Sequence, residues 1–278
     1  MTIQTALLQG TEILEKAGVA VPRLTAEVLL CHAMGRDRTF LYAHSGDELT
    51  ELWWIHFGRY LNERLKGKPT QYITHKQEFF GRDFYVNESV LIPRPETEHL
   101  VESALNYFEG RGPMRVLDLG TGSGAIAISV ALESGRAVDA SDISPPALQV
   151  AERNRSTHSA PVSFFACDLL QAVRRTSLDL LVSNPPYVPG ADAANMQAEV
   201  REWEPHTALF AGDSGFEIYR RLIAEAELAV KPGGCLMLEL GYRSLEGVRD
   251  MLAARWTDIL VVSDLAGLPR VIAATLRT

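Results

Sequence analysis

The stretch Val116-Leu117-Asp118-Leu119-Gly120-Thr121-Gly122-Ser123-Gly124-Ala125 constrains this chain more than any other. A short apolar run is cut off by glycines and followed by the small and apolar residues of Ala125–Glu133. That order reads as a buried strand, a tight turn and a helix. The same alternation continues downstream. Strands are predicted over Arg115–Gly120, Ala137–Asp142, Val162–Asp168, Leu178–Ser183, Cys235–Leu240, Ile259–Asp264 and Arg270–Thr275. Helices are predicted over Ala125–Glu133, Ala147–Asn154, Phe216–Val230 and Leu245–Ala254. Strands alternating with helices imply an α/β fold with a doubly wound, mostly parallel sheet of Rossmann-like type. The last two of these seven strands are joined by too few residues for a crossover helix, so they should pair antiparallel.

The residues before this sheet read differently. Leu7, Leu8, Ile13 and Leu14 recur at helical spacing, as do Leu24, Val28, Leu29 and His32, with a start near Thr25 to Glu27 and a stop at Gly35. A further helix is predicted over Leu49–Leu65, ended by Gly67-Lys68-Pro69. Aromatic residues flank a glycine turn in Glu78–Val86, the pattern of a β-hairpin. Pro93 and Pro95 then bar a helix until after residue 95, where Glu96 and Glu98 suit a helical first turn. The predicted division is a helical domain over 1–75, a hairpin linker over 76–92 and the sheet domain over 93–278. Charge supports a split. Residues 1–87 hold ten basic and ten acidic side chains, so the net −8 falls wholly on residues 88–278.

Composition narrows the function classes. Apolar residues form 46% and charged residues 22% of the 278, which excludes a disordered chain. No apolar run approaches the roughly 20 residues that span a bilayer. Met1-Thr2-Ile3-Gln4-Thr5 lacks the basic and apolar pattern of an export signal, so a cytoplasmic protein without a membrane partner is expected. Cys31, Cys167 and Cys235 are too scattered for a disulfide framework or thiolate metal site, and the seven histidines form no ligand pair. No metal is expected. The acidic balance argues against a stable nucleic-acid partner.

Three motifs carry chemistry. The glycine loop lets the backbone approach a ligand, and the helix start behind it offers free N–H groups. Its Gly-x-Gly-x-Gly spacing, with Ala125 where a dinucleotide fingerprint needs glycine, shifts weight from NAD to other adenosine ligands. Asp142 lies 22 residues after Gly120, at the end of the next predicted strand, where an acid can accept hydrogen bonds from ribose hydroxyls. Ser144, rather than Asp142, is the better N-cap for the helix opening at Pro145. Asn184-Pro185-Pro186-Tyr187 follows the strand Leu178–Ser183. Prolines have no N–H, so this turn offers carbonyl acceptors and few donors, and Asn184 adds a side-chain carbonyl. Two acceptors pointing one way suit a planar –NH₂ group. Accepting both of its hydrogens returns electron density to a nitrogen that is otherwise a poor nucleophile. Tyr187 offers a ring face for packing.

Further stretches extend the pattern. They are Gln71-Tyr72-Ile73, Phe79-Phe80-Gly81, Leu91-Ile92-Pro93-Arg94-Pro95-Glu96-Thr97-Glu98, Glu204-Pro205-His206-Thr207-Ala208-Leu209, Pro232-Gly233-Gly234 and Leu238-Glu239-Leu240-Gly241. From about residue 24 to the end, the chain resembles the bacterial-type release factor glutamine methyltransferases. The resemblance implies S-adenosylmethionine as cofactor and S-adenosylhomocysteine as product. It implies as substrate the glutamine of the Gly-Gly-Gln loop of a peptide-chain release factor, helped into place by the N-terminal helical domain. It also implies that Gly120, Thr121, Gly122, Ser123 and Gly124 hold the methionine and ribose side of the cofactor. Asp142 would take the ribose hydroxyls and Leu169 would flank the adenine. Asn184 would stand between cofactor and substrate, and Asn184, Pro185, Pro186 and Tyr187 would grip the glutamine amide. Two departures concern the cofactor rim. Tyr242-Arg243-Ser244 replaces a stretch that often holds glutamine, and Leu169 is aliphatic where some relatives are aromatic.

A DNA adenine amino-methyltransferase shares the Asn-Pro-Pro-Tyr tetrapeptide and is the alternative. It must flip a base and hold phosphates, which an acidic chain without a basic first domain suits poorly. A non-catalytic cofactor-binding scaffold is a third reading, disfavoured by the intact tetrapeptide. The expected enzyme is a monomer.

Overall fold

A computed structural model describes all residues, Met1 to Thr278. They form two compact units. The first comprises Met1–Lys76 with Gln197–Trp203, and the second Gln77–Met196 with Glu204–Thr278.

The first unit is helical: α1 (Ile3–Lys16), α2 (Pro22–Met34), α3 (Arg38–Ala43), α4 (Glu51–Leu65) and α5 (Thr70–Thr74). Thr2, Asp37 and Thr50 cap α1, α3 and α4 by accepting backbone N–H groups. Helix α2 starts at Pro22, earlier than the Thr25–Glu27 signal suggested, because Val21 turns into the left-handed region (φ 46°) and Pro22 supplies a preset first turn. Gly35 ends it at φ 64°. Ile3, Leu7, Leu14, Leu29, Leu30, Phe57 and Leu61 fill the core, and Trp53 and Trp54 pack against it partly buried. Glu27 is a buried charge within this unit. It accepts hydrogen bonds from Arg23 (2.8 Å), Arg38 (2.7 Å) and Tyr42 (2.5 Å), so one carboxylate ties α2 to α3. Burial raises its pKa, but these three donors outweigh burial and hold it below the ordinary value. The segment Gln197–Trp203 joins this unit through Glu199, which pairs with Arg64, and Trp203, whose ring lies 5.7 Å from the Lys68 ammonium.

The second unit opens with the hairpin β1 (Gln77–Phe79) and β2 (Arg82–Phe84), whose turn passes through Phe80 and Gly81 at positive φ. A 3₁₀ turn over Pro95–Thr97 leads into α6 (Glu98–Phe108). Then follow β3 (Val116–Leu119), α7 (Ala125–Ser134), β4 (Val138–Asp142), α8 (Pro145–His158), β5 (Val162–Ala166) and β6 (Leu178–Ser183). After β6 come the short β7 (Val188–Pro189), α9 (Ala198–Trp203, in the first unit), α10 (His206–Leu209) and β8 (Phe210–Gly212). The chain finishes with α11 (Glu217–Ala229), β9 (Val230–Glu239), α12 (Leu245–Leu252), β10 (Trp256–Ser263) and β11 (Pro269–Leu276).

The seven-stranded sheet runs β10-β11-β9-β6-β3-β4-β5. Strands β9, β6, β3, β4 and β5 are mutually parallel, while β11 is antiparallel to both of its neighbours. The expected antiparallel last pair is present, and the final strand inserts between β9 and the edge strand β10. Alternation along the strands feeds two cores. Val116, Leu180, Val182, Cys235 and Met237 face α6 and α7, whereas Leu117, Leu119, Leu181, Leu236 and Leu238 face α11 and α12. The strand order reverses at β3, whose neighbours are β4 and β6, so a crevice is expected at their carboxyl ends.

Gly10 on α1 is a packing requirement. A Cβ there would stand 2.5 Å from Cζ of the fully buried Phe57. Alanine would improve helix propensity by about 1 kcal/mol, but overpacking costs about 1–3 kcal/mol. Gly10→Ala is therefore expected to lower stability in urea unfolding; a stabilised variant would contradict this packing.

Candidate active site

The glycine loop leaves β3 with Gly120, Gly122 and Gly124 all at positive φ (72°, 55° and 83°). Gly120 and Gly122 line a cavity of about 330 Å³, and a Cβ on either would meet no atom within 4 Å. Both therefore present bare backbone to the cavity. Gly124 has a different reason. A Cβ there would press on Ile128 Cδ1 (3.0 Å) and Ala151 Cβ (3.3 Å), so it permits α7 and α8 to pack. Thr121 and Ser123 are also turned to structural work. The Thr121 hydroxyl donates to Asp118 Oδ2 (2.6 Å), and the Ser123 carbonyl accepts from Asn154 Nδ2 (2.9 Å).

Asp118 is the clamp of this loop. Its Oδ2 also accepts the Ala127 N–H (3.2 Å), which binds the loop to the first turn of α7, while Oδ1 is buried without a partner. Burial pushes its pKa up to about 7, against the pull of the Thr121 and Ala127 bonds. Asp142 ends β4. Its Oδ2 accepts the Gly122 N–H (2.9 Å) and its Oδ1 the Ser144 N–H (2.9 Å). Each oxygen keeps a lone pair, and the residue lines the cavity. Burial raises its pKa, opposed first by the Ser144 bond and then by the Gly122 bond. Ser144 caps α8 through Ala147 N–H (3.3 Å), as its sequence position suggested. Leu169 also lines the cavity, at φ 46°, beside Asp168, which Arg221 holds at 3.0 Å.

The turn after β6 supplies the opposite wall. Asn184, Pro185 and Pro186 line the cavity, and no group of the chain donates to their carbonyl oxygens. The Asn184 Nδ2 donates to Thr97 Oγ1 (3.2 Å), which leaves Oδ1 unengaged. Tyr187 is turned away. Its ring lies against Gly241, where a Cβ would approach within 2.6 Å, and its hydroxyl donates to Glu239 Oε1 (3.5 Å). The cavity therefore gathers Gly120, Gly122, Asp142, Leu169, Asn184, Pro185 and Pro186. Thr121, Ser123, Gly124 and Tyr187 lie behind its wall, and the ring face expected of Tyr187 is spent on packing.

Some supporting residues had no role assigned from sequence. Asp118 was visible as a charge inside an apolar strand next to glycines. Glu204 is buried, pairs with Arg94 and accepts the Ile92 N–H (3.3 Å), so it secures the segment leading to Thr97. Glu239 is buried on β9, its pKa pushed up to about 7 by burial.

The donor set fits S-adenosylmethionine. Bare glycine backbone at one wall admits a bulky group, spare carboxylate lone pairs of Asp142 suit ribose hydroxyls, and apolar Leu169 and Ile143 suit a purine face.

Asp118 also carries a pH signature. A carboxyl whose pKa is higher folded (about 7) than its ordinary value of 3.8 favours folding most at low pH. That contribution fades as pH rises between those two values. The stability of wild type relative to Asp118→Asn should therefore fall across this range; a pH-independent difference would contradict the burial of a titrating carboxyl there.

Comparison with known proteins follows the same lines. Residues 5–74 match the family described as PrmC N-terminal domain, and residues 98–201 the methyltransferase small domain. The release factor glutamine methyltransferase of Koribacter versatilis is 43% identical over 98% of this chain and 98% of its own. That of Nitratidesulfovibrio vulgaris is 40% identical, over 98% of this chain and 95% of its own. A methyltransferase structure from Pyrococcus furiosus superposes with a TM-score of 0.55 at 18% identity, over 72% of this chain and 91% of its own, a likeness of fold. On its near full-length identity to these relatives, the chain belongs to the release factor glutamine methyltransferase family.

Proposed function

We propose that this enzyme methylates the side-chain amide nitrogen of the glutamine in the Gly-Gly-Gln loop of peptide-chain release factors, with S-adenosylmethionine as methyl donor. The observation that carries this reading is the turn Asn184-Pro185-Pro186, whose oxygens accept nothing from the chain and which lines the same cavity as the glycine loop and Asp142. When bound, the cofactor supplies a methyl on a sulfonium sulfur, an electrophile that needs no further activation.

The residues of the chain then have to solve a problem of geometry and of nitrogen basicity. Gly120 and Gly122 admit the cofactor's backbone-facing side, and Asp142 accepts from its ribose hydroxyls. Asn184 Oδ1 and the Pro185 carbonyl each accept one hydrogen of the substrate –NH₂. A planar amide nitrogen shares its lone pair with the carbonyl. Two acceptors placed for a pyramidal nitrogen bind the transition state better than the ground state, which is what speeds the chemical step. Holding the nitrogen in line with the methyl contributes as well. On taking the methyl while keeping both hydrogens, the amide nitrogen becomes a cation that is strongly acidic and loses one proton to water, so no general base is required of the chain.

Incubation with labelled S-adenosylmethionine and a release factor, followed by mass mapping, should place one methyl on that glutamine. Methyl on another residue would overturn the reading. Asn184→Ala is expected to lower kcat by roughly 10²–10³-fold at saturating cofactor, the usual cost of removing a preorganised group at the reacting atom. Turnover near wild type would contradict its role. Asp142→Ala should weaken cofactor binding by roughly tenfold or more in calorimetry, through lost charge-assisted hydrogen bonds and a loosened Gly122. Unchanged affinity would remove Asp142 from the site.

A further inference from the structure

We propose that Glu225 and Arg221, one turn apart on α11, are positioning residues that hold Leu169 in a left-handed conformation and so fix the apolar wall against which the cofactor's purine packs. This rests on the reading of the cavity as the cofactor's. Leu169 is an unusual residue for that post. Its φ of 46° lies in the region that residues with a Cβ avoid, and no glycine or asparagine stands there to relieve it. Such a conformation persists only where its surroundings impose it.

The residues on either side of it are both tied to α11. Before it, Arg221 Nη2 donates to Asp168 Oδ1 (3.1 Å) and Oδ2 (3.0 Å). After it, the Leu170 N–H donates to Glu225 Oε2 (2.9 Å). The other oxygen of Glu225 faces the same Arg221 Nη2 at 3.7 Å, so the two side chains, four residues apart on one helix flank, steady each other. One turn of helix thus holds the strained residue by both of its neighbours.

The two attachments differ in strength. The side chains of Arg221 and Asp168 are 46% and 38% exposed, and an ion pair so open to water contributes little. Leu170 is buried in the core it shares with Leu222 and Ala226 of α11, where its N–H needs an acceptor and a carboxylate is a strong one. Glu225 therefore carries most of the hold, and Arg221 aligns it. Upstream, the Cys167 N–H donates to the Asp142 carbonyl (3.0 Å), so the segment is also fastened to the end of β4. With the α11 tether cut, Leu169 would relax towards the right-handed region and its side chain would leave the wall it forms with Ile218 and Leu222. Glu225 is not a lining residue, so any effect it has on binding must pass through this turn.

The test measures binding of S-adenosylhomocysteine to the full chain by calorimetry. Glu225→Ala should weaken it roughly tenfold, the scale of one charge-assisted hydrogen bond. Glu225→Gln keeps an acceptor at the same reach and should stay within about threefold of wild type. Arg221→Ala should cost roughly threefold. Both alanine losses should shrink below about twofold in a Leu169→Gly background, because glycine takes the left-handed conformation without being held. Hydrogen exchange reads the tether itself. The Leu170 amide should exchange slowly in wild type and Glu225→Gln, and faster in Glu225→Ala. Unchanged affinity in Glu225→Ala, equal losses in its alanine and glutamine variants, undiminished losses in the Leu169→Gly background, or a freely exchanging Leu170 amide in wild type would each overturn the proposal. Should Glu225→Ala fail to fold, Arg221→Ala in the two backgrounds decides, since a direct contact of Arg221 with the cofactor would cost the same in both. If wild type does not bind S-adenosylhomocysteine, the cofactor reading falls, while Leu170 exchange still decides the tether.

Discussion

The molecule is organised around a stretch of backbone that can accept hydrogen bonds and has almost none to give. Pro185 and Pro186 remove two N–H groups from the carboxyl end of β6, and the chain places no donor of its own against the oxygens of Asn184, Pro185 or Pro186. Unpaired acceptors are costly when sealed from water. Here they are left at a cavity wall, where a ligand can satisfy them. The parallel sheet makes this possible, because neighbouring strands deliver their ends to one edge. Strand β3 brings the glycine loop, β4 brings Asp142 and β6 brings the acceptor turn.

Buried carboxylates set the positions around that edge. Asp118 fastens the loop to α7, and Glu204 fastens the segment before Thr97. Each is a charge or potential charge withdrawn from water, and Asp118 and Glu239 keep an oxygen without a conventional partner. Such groups are poor contributors to stability. Their arrangement is understandable if orientation of neighbouring donors matters more than the cost of burial. The second proline-flanked segment, Pro93 to Pro95, has a related role. It fixes the path that puts Thr97 at the start of α6, within reach of Asn184.

Much of the architecture is legible in the sequence, because strand and helix periods are strong and the punctuation is by glycine and proline. Strand β6 runs over Leu178–Ser183 as read, and the other six strands are each recognised within a few residues. Differences have identifiable causes. Strand β9 starts at Val230, before the predicted Cys235, since a register shift between Leu178 and Leu180 of β6 accommodates Pro232 and the two glycines. The start of α6 is legible in Pro95, Glu96 and Glu98, and its buried Leu100, Val101, Ala104 and Phe108 do carry a helical period. Short α3 and α5 span too few residues to show one. The site is legible in part. Motif spacing singles out Gly120, Gly122, Asp142 and Asn184, which line one cavity, but it cannot tell glycines bare at that cavity from Gly124, which clears room for Ile128 and Ala151. Nor can it see that Tyr187 packs on Gly241, or that Thr97, 87 positions earlier, meets Asn184.

The most direct test is a crystal structure of the enzyme with S-adenosylhomocysteine and a peptide containing Gly-Gly-Gln. The glutamine nitrogen is expected within hydrogen-bond distance of both Asn184 Oδ1 and the Pro185 carbonyl, with its lone pair directed at the sulfur. A glutamine bound through its carbonyl oxygen to Asn184, or seated away from this turn, would contradict it.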